Sequence, residues 1–395
     1  VRTSCYFRQF FLPGLETLAF NIPSRVPTYE VEQLIDALPA EASGLRQLSI
    51  MTAQGLSACR FVIPKLPKLI RLSMRAFDMS LMTQNIANIQ HSRCLQSLTL
   101  TLHGLSDMEN QLSGNMPLEL STLKRLFLRG PGLQNCTSFL LQVATPQLSV
   151  IEIGTYRTSA NPEEITAFIE SLSTSCQTFG SLEKISVVDC SPGQWWEHES
   201  QSELHSRIFR PLLRFRRLST VEFVDIGKFR LDDAFIEDVA AAWPYLRVLK
   251  FVSEKVSDCD VTFTAMLSLA SRCKLLRCLQ LTFDATHFPT LPCAPDGTRE
   301  LWTTQTALSE LHVGRSKVSA GSQFHLFLAV VFPNLVDLSR YHSAYRLADG
   351  IVWRQLKEAW EQLAIHLENI SCRASLLAEL PSATTALGGG GPSEG

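Results

Sequence analysis

The chain has 395 residues, of which 45% are hydrophobic, and a formal net charge of −2. It lacks the broad excess of basic residues that marks a nucleic-acid binder or a protein of anionic membrane surfaces. The longest apolar run, 324–336, is interrupted by polar residues and is too short to span a bilayer, so we expect a soluble protein.

The eleven cysteines contain no CxxC pair of the kind that binds zinc or exchanges disulfides. They are also too dilute for a small disulfide-bonded scaffold. No series of basic, apolar and small residues at the start resembles a secretion signal. We therefore expect reduced cysteines that act as small apolar residues, and a cytoplasmic or nuclear location.

One short pattern, LxxLxL, recurs along the chain and predicts its β-strands. The copies are Leu15-Leu18-Phe20, Leu45-Leu48-Ile50, Leu69-Leu72-Met74, Leu95-Leu98-Leu100, Leu123-Leu126-Leu128, Leu148-Ile151-Ile153, Leu182-Ile185-Val187, Leu218-Val221-Phe223, Leu246-Leu249-Phe251, Leu276-Leu279-Leu281, Leu308-Leu311-Val313 and, more weakly, Leu335-Leu338-Arg340. Their starts are separated by 24 to 36 residues. This spacing overlaps and slightly exceeds the usual period of leucine-rich repeats, roughly 20 to 29 residues.

Between these strands, the spacing of apolar residues predicts helices. The predicted segments are 29–38, 80–89, 137–143, 162–172, 232–243, 262–272 and 322–331. In 232–243, Phe235, Val239 and Trp243 recur every four residues, so one face of that helix belongs to the core. Pro244 cannot continue the helix, and the chain must turn there into the next strand. Asn161, before a proline, is typical of a helix N-cap.

Alternating strands and helices predict an α/β fold, a leucine-rich-repeat solenoid shaped as a curved horseshoe with about twelve irregular repeats. We expect it to occupy 1–367, with a helical cap at 351–367 and a flexible Gly/Ser-rich tail at 368–395. The first strand starts close to Val1, so we expect a segment that covers the first repeat to be missing. With strands about 4.8 Å apart, the inner sheet would be about 50 to 60 Å long, which suits a protein ligand.

Several phrases resemble consecutive segments of a known family. They are "LKRLFLRGPGLQNCTSFLLQVATPQLSVIEI" (123–153), "FRPLLRFRRLSTVEF" (209–223), "LDDAFIEDVAAAWPYLRVLKF" (231–251), "VTFTAMLSLASRC" (261–273), and "LHVGRSKV" with "VFPNLVDL" (311–338). In this order they resemble the F-box proteins with leucine-rich repeats that are numerous in mushroom-forming fungi. The resemblance covers most of 120–365. In that family an F-box docks on the Skp-type adaptor of a cullin ubiquitin ligase, and the repeats hold the protein to be ubiquitinated.

An F-box opening of the LPxE type is not recognisable in this chain. The letters LPAE at 38–41 come close, but a predicted strand begins soon after them, so we do not interpret them as an F-box. The Skp-type adaptor and the cullin ligase are therefore expected partners only if an F-box precedes residue 1.

Strand alternation sends the leucine positions into the core and the intervening residues to the concave face, where a partner would bind. The predicted contacts are Arg71, Arg75, Arg125, Phe127, Arg129, Glu152, Lys184, Glu222 and Lys250, with Glu310 and His312 in later copies. Arg125, Phe127 and Arg129 resemble the arginine and aromatic anchors that carry binding energy at interfaces. A solvated sheet face without a partner is the alternative interpretation.

The longest repeat carries an insert, "SPGQWWEHESQSELHSRIF" (191–209). Trp195 and Trp196 cannot both face inward from one regular element, so we expect one of them at the surface, as a candidate loop contact. The spacing of His198, Glu199 and His205 fits no familiar ligand set, and we predict no metal site and no cofactor. A loop that covers the edge of the solenoid is the alternative.

Catalytic motifs are also missing: there is no GxSxG elbow, no GxxxxGK[ST] and no GxGxxG after a strand. We therefore predict a non-enzymatic protein–protein interaction module, the substrate-recognition part of an F-box ubiquitin ligase, that binds neither nucleic acid nor membranes. The alternatives are a ligase-independent scaffold and, less favoured, a regulator of a small GTPase, since the tail is Gly-rich rather than acidic. The bound protein is not identified by the sequence.

Overall fold

In the computed structural model, the described residues are 8–22, 26–52, 63–78, 89–103, 117–156, 160–176, 179–190, 203–253, 259–286, 303–313, 316–318, 324–339 and 365. Most of the predicted helix 80–89, the first part of the insert (191–202), and the predicted cap and tail, apart from Ile365, lie outside these ranges. The interpretations of those segments stay predictions.

Twelve parallel strands form one sheet, and their order in the sheet is their order along the chain. They are β1 (Thr17–Ile22), β2 (Gln47–Thr52), β3 (Arg71–Asp78), β4 (Ser97–His103), β5 (Arg125–Gly130), β6 (Val150–Thr155), β7 (Lys184–Asp189), β8 (Thr220–Val224), β9 (Val248–Val252), β10 (Cys278–Leu281), β11 (Glu310–His312) and β12 (Asp337–Ser339). Each LxxLxL copy coincides with one strand, which confirms the strand predictions. The strict order follows because each unit buries its apolar side only against its neighbours.

Helices connect the strands on one side of the sheet. The described ones are α1 (Thr28–Glu41), α2 (Leu133–Leu141), α3 (Pro162–Cys176), α4 (Ser206–Phe209), α5 (Asp233–Ala242), α6 (Phe263–Arg272) and α7 (Phe324–Val331), with 3-10 turns at Ile63–Lys65 and Arg210–Arg214. Five of them, α1, α3, α5, α6 and α7, cover predicted segments to within a few residues. No helix in the described part of the chain is long and apolar enough to cross a bilayer.

Helix α2 is displaced toward the N-terminus relative to its predicted segment, 137–143. The helix starts at Leu133, four residues before the predicted start, and it ends before Val143. The polar Asn135 concealed the start, because it is buried in the structure although its residue type suggests a surface position. Val143 instead begins a short strand, Val143–Ala144, which pairs with Leu118–Glu119.

Three short parallel pairs supplement the main sheet. They are Leu118–Glu119 with Val143–Ala144, Glu203–His205 with Lys228–Arg230, and Asp284–Ala285 with Lys317–Val318. Each pair joins the connecting segments of neighbouring strand–helix units, so these segments add backbone hydrogen bonds to the contacts of the main sheet.

The leucine positions of the strands and the apolar faces of the helices form one continuous core. Its centre contains a cluster of five phenylalanines, Phe209, Phe223, Phe229, Phe235 and Phe251, whose ring centroids lie 5.1 to 6.3 Å apart in the contacting pairs. Phe223 and Phe251 are register partners on β8 and β9, so their rings stack at 5.4 Å with an interplanar angle of 13°. Trp243 is fully buried, as predicted.

Side-chain caps fix the starts of three described helices, α3, α5 and α6. Asn161 Oδ1 accepts a hydrogen bond from the Glu164 amide (2.8 Å), and Glu164 Oε2 accepts one from the Asn161 amide (3.1 Å), which is a reciprocal capping box. Asp233 at the start of α5 accepts hydrogen bonds from the amide and the hydroxyl of Thr262, each at 2.6 Å. Since Thr262 is the N-cap of α6, this contact ties two successive helix starts together.

A buried glutamine links two successive turns at the other end of the units. Gln305 Nε2 donates to the carbonyl oxygens of Cys273 (3.2 Å) and Leu276 (2.8 Å), and its Oε1 accepts from the Leu308 amide (2.8 Å). The side chain thereby satisfies the Leu276 carbonyl and the Leu308 amide, and it adds a second donor to the Cys273 carbonyl, which also accepts from the Leu276 amide (3.1 Å).

The letters LPAE at 38–41 form the last turn of α1. Leu38 is fully buried, and Pro39 lies inside the helix. The helix ends at Glu41, and β2 begins at Gln47. These four residues therefore belong to the unit that leads into β2.

Candidate functional site

Residues that alternate with the core positions lie on the other face of the sheet, which we call the open face. Strand register arranges them in two rows. The first row is Thr17, Gln47, Arg71, Ser97, Arg125, Val150, Lys184, Thr220, Val248, Cys278, Glu310 and Asp337; the second is Ala19, Ser49, Ser73, Thr99, Phe127, Glu152, Ser186, Glu222, Lys250, Gln280, His312 and Ser339. Neighbouring strands lie about 4.8 Å apart, so each row is a continuous line of residues.

The N-terminal half of the open face carries an arginine patch on β3 and β5, formed by Arg71, Arg125, Phe127 and Arg129. Arg125 and Arg129 are exposed and Phe127 is half-buried on β5. Arg71 lies in the same row as Arg125, two strands away. Within the described residues, neither Arg125 nor Arg129 forms an ion pair, so their charges face solvent. The side chain of Arg75, predicted as part of this group, lies outside the described structure.

A glycine beside the arginine patch leaves room for Arg129. Gly154 is the register partner of Arg129 on β6. A Cβ atom at 154 would lie 3.4 Å from Arg129 Cγ and 3.5 Å from Cys190 Sγ, which is already contact distance. Larger side chains at 154 would therefore displace the Arg129 side chain from β6.

The middle of the open face carries an alternating charge network of Glu152, Lys184, Glu222 and Lys250. Lys184 Nζ lies 2.7 Å from Glu152 Oε1 and 3.9 Å from Glu222 Oε2. Glu222 Oε1 lies 2.9 Å from Lys250 Nζ, and Glu222 Oε2 accepts a hydrogen bond of 2.9 Å from the Ser186 hydroxyl. Two acids and two lysines cancel each other, so this region presents little net charge to a partner.

The pKa values in this network reflect a competition between burial and pairing. Burial raises the pKa of Glu222, but Lys250, Ser186 and Lys184 outweigh it and hold that pKa below its ordinary value. Burial likewise lowers the pKa of Lys250, and the pairing with Glu222 overcomes it and raises that pKa. Both groups are therefore charged at neutral pH.

Beyond Lys250, three residues converge on β10 and β11: Cys278, Glu310 and His312. One ligand-type atom of each, the thiol sulfur, a carboxylate oxygen and an imidazole nitrogen, lies within 4.8 Å of the other two. Burial is the main cause that raises the pKa of the Cys278 thiol to about 12. Burial also lowers the pKa of His312, against the opposing effect of Asp337 and Glu310.

The turns that lead into the twelve strands form a basic margin along one edge of the sheet. The four residues before each strand include nine exposed basic side chains: Arg46, Lys68, Arg93, Lys124, Arg216, Arg217, Arg247, Lys274 and Arg277. The same positions hold two acids, Glu16 and Glu183. Arg46, Lys68, Arg93 and Lys124 line one cleft of about 440 Å³. The connecting helices end at this edge, so the cations also complement the negative ends of the helix dipoles.

The predicted contacts thus fall into separate groups. The structure brings together Arg71, Arg125, Phe127 and Arg129 in one patch, and Glu152, Lys184, Glu222 and Lys250 in one network. Trp195 and Trp196 lie outside the described residues, and so do two of the three insert residues considered as metal ligands. The third, His205, lies 3.8 Å from Glu203 Oε2.

Sequence reasoning missed Cys278 and the basic margin. Cys278 meets Glu310 and His312 only through strand register, because it stands on the preceding strand. The margin did have a sequence signal: a basic residue at one of the four positions before the strand in most copies.

Comparisons with known proteins find likeness among solved structures but none among family models or curated proteins. No family model matches the chain, and no curated protein matches it. Among solved structures, the chain is similar to one in the Rad7 and Elc1 complex of yeast, with 15% identity, a TM-score of 0.46, and coverage of 87% of this chain and 80% of the other. A likeness this distant bears on neither function nor partners.

Proposed function

We propose that the chain is a leucine-rich-repeat solenoid that binds a protein on the open face of its sheet. The observation that supports this proposal is the pair of continuous residue rows across twelve parallel strands. Small rotations between stacked units curve such a body, and the curvature would make the open face concave.

The size of the open face favours a protein over a metabolite. Twelve strands about 4.8 Å apart extend over about 50 Å, and the two rows, with a third outward position such as Arg129 on the longer strands, add a width of up to about 13 Å. The resulting area, on the order of 650 Å², is close to the ~800 Å² that each partner contributes to a standard protein interface.

The chemistry of the face suggests where a partner is anchored. Arg125 and Arg129 offer guanidinium groups that can grip carboxylates in bidentate geometry, and Phe127 between them can be desolvated. The charge network is already paired, so it would act as a complementary surface rather than as an anchor. The basic margin would attract an acidic partner at long range.

We further propose that the chain acts by binding alone, as the substrate-recognition part of an F-box ubiquitin ligase in the cytoplasm or nucleus. The support is the resemblance of 123–153, 209–223, 231–251, 261–273 and 311–338 to fungal F-box proteins with leucine-rich repeats. In this role the open face would hold a substrate while partner enzymes of the ligase transfer ubiquitin. The mechanism is positioning, which raises the local concentration of the substrate lysines.

The test uses the full-length protein, tagged and purified from its own cells after proteasome inhibition. Three forms are compared: the wild type, Arg125→Glu with Arg129→Glu on the open face, and a control of equal charge change, Arg207→Glu with Arg272→Glu on the helices. Mass spectrometry then measures the Skp-type adaptor and ubiquitinated proteins in each sample. With an F-box ahead of residue 1, we expect the adaptor in all three samples, and loss of a ubiquitinated partner in the open-face variant alone.

Two results would contradict parts of the proposal separately. An adaptor missing from all three samples, with partner loss still confined to the open-face variant, would leave a ligase-independent scaffold. A partner that stays bound to the open-face variant, or that is lost equally from the control, would show that the arginine patch is not the interface.

A further inference from the structure

Cys278, Glu310 and His312 form a cluster on β10 and β11 that combines a thiol, a carboxylate and an imidazole. Cys278 and Glu310 are register partners in the first row, and His312 stands two residues after Glu310 on the same face. Their sulfur, oxygen and nitrogen atoms lie within 4.8 Å of one another, and Cys278 is 7% exposed. Among the described residues, this is the place where three or more possible metal ligands from Cys, His, Asp or Glu lie close together.

We propose that Cys278, Glu310 and His312 form a zinc-binding site on the open face. Thiolate, imidazole and carboxylate are the ligands that zinc takes in proteins, at about 2.3 Å for sulfur and about 2.0 to 2.2 Å for nitrogen and oxygen. In a tetrahedron of these bond lengths the ligand atoms are about 3.3 to 3.7 Å apart. Closing from separations of up to 4.8 Å requires each distance to shorten by about 1.5 Å or less, which side-chain rotation supplies.

The ligand set selects among metals. Calcium and magnesium take oxygen ligands, and a thiol with an imidazole is foreign to their sites. Sulfur and nitrogen donors together favour zinc over the hard cations. The site therefore belongs to a borderline-soft divalent cation, for which zinc is the reference.

The backbone holds two of the ligands in place and brings a fourth within reach. Parallel pairing of β10 with β11 fixes the separation of Cys278 and Glu310. Asp337 is the register partner of Glu310 on β12, and its charge already acts on His312. An oxygen of Asp337 or a water molecule would complete four-coordination, the usual arrangement for zinc.

Lys250 is the group that opposes a cation here, since its charge acts on both Cys278 and Glu310. Its ammonium group is held by Glu222 at 2.9 Å, toward β8 and away from β11. Pairing with Glu222 offsets the positive charge of Lys250, so the cluster keeps a net negative environment from Glu310 and Asp337. The proposal concerns the folded chain alone and holds whether or not the open face binds a protein.

The test is metal binding by the full chain, reduced and stripped with a chelator. Cobalt(II) serves as the spectroscopic probe, because tetrahedral cobalt shows visible d–d bands and a thiolate ligand adds a near-ultraviolet charge-transfer band. Calorimetry with zinc alone gives the affinity. We expect one cobalt equivalent with a thiolate band, displaced by zinc. Cys278→Ser should abolish the thiolate band, and His312→Ala should weaken zinc binding about tenfold or more.

Matched controls are Cys190→Ser and His91→Ala, which change an exposed cysteine and an exposed histidine elsewhere; both should bind like the wild type. Circular dichroism checks that each variant is folded. If Cys278→Ser does not fold, the zinc affinity of His312→Ala tests the proposal instead. No binding by the wild type, no thiolate band, or unchanged binding by His312→Ala would overturn the proposal.

Discussion

Replacing Phe251 by alanine tests whether the phenylalanine cluster is the structural centre of the sheet. Phe251 is 1% exposed, and its ring centroid lies 5.1 Å from that of Phe209, 5.4 Å from Phe223, 5.5 Å from Phe229 and 6.1 Å from Phe235. Phenylalanine-to-alanine changes in cores cost about 3 to 5 kcal/mol. Four rigid rings around the vacated space cannot fill it, so we expect the upper half of that range, about 4 to 5 kcal/mol.

The matched control is Phe127→Ala on the open face, where the ring is half-buried. Its loss should be about 1 kcal/mol or less, because little apolar area returns to water. Urea unfolding followed by circular dichroism gives both free energies of unfolding by linear extrapolation. Equal losses for the two variants, or a loss below about 2 kcal/mol for Phe251→Ala, would refute the assignment of the two faces.

Three further changes probe the polar contacts. Gln305→Ala removes the hydrogen-bond partner of the buried Leu276 carbonyl and Leu308 amide and should lower the free energy of unfolding by about 2 to 4 kcal/mol. The exposed Asn334→Ala should cost less than about 1 kcal/mol, and similar values for the two variants would contradict the linking role of the glutamine. The folded-state pKa of Glu222 is below its unfolded value of about 4.3, so its contribution to stability is present above that pH and is lost as the pH falls through the folded-state pKa. Glu222→Gln should therefore lose less thermal stability than the wild type between about pH 5 and pH 3, and an equal loss would argue against the pairing with Lys250. Asn161→Ala removes half of the capping box and should cost about 1 kcal/mol, seen as a melting temperature lower by a few degrees; an unchanged temperature would show that the cap contributes nothing.

The sheet could be predicted because its determinants are local and repeated. Each LxxLxL copy predicts both the position of a strand and the face of that strand that is buried. The copies also follow one another at similar spacing. Helix starts could be predicted as well as the strands where a capping residue precedes the helix, as at Asn161. The start of α2 could not be read in this way, because Asn135 is buried there and the apolar period is broken.

The candidate site was predictable only in part. The alternation of strands placed Arg125, Phe127 and Arg129 correctly on one face. Whether charged neighbours pair depends on register between strands, which links Lys184 to Glu152 and to Glu222. The sequence pattern of one strand does not determine its register with the next strand. Residues that were predicted as separate contacts therefore turned out to form one paired network.

The measurement that bears most directly on the open face as the interface is site-specific photo-crosslinking in cells. A benzophenone amino acid is placed at Thr99, Phe127 or Gln280 on the open face, and at Thr174 or Glu237 on the exposed sides of helices. We expect a discrete crosslinked protein from the open-face positions, strongest at 127, and none from the two helix positions. The same crosslinked protein from the helix positions, with none from the open face, would contradict this expectation.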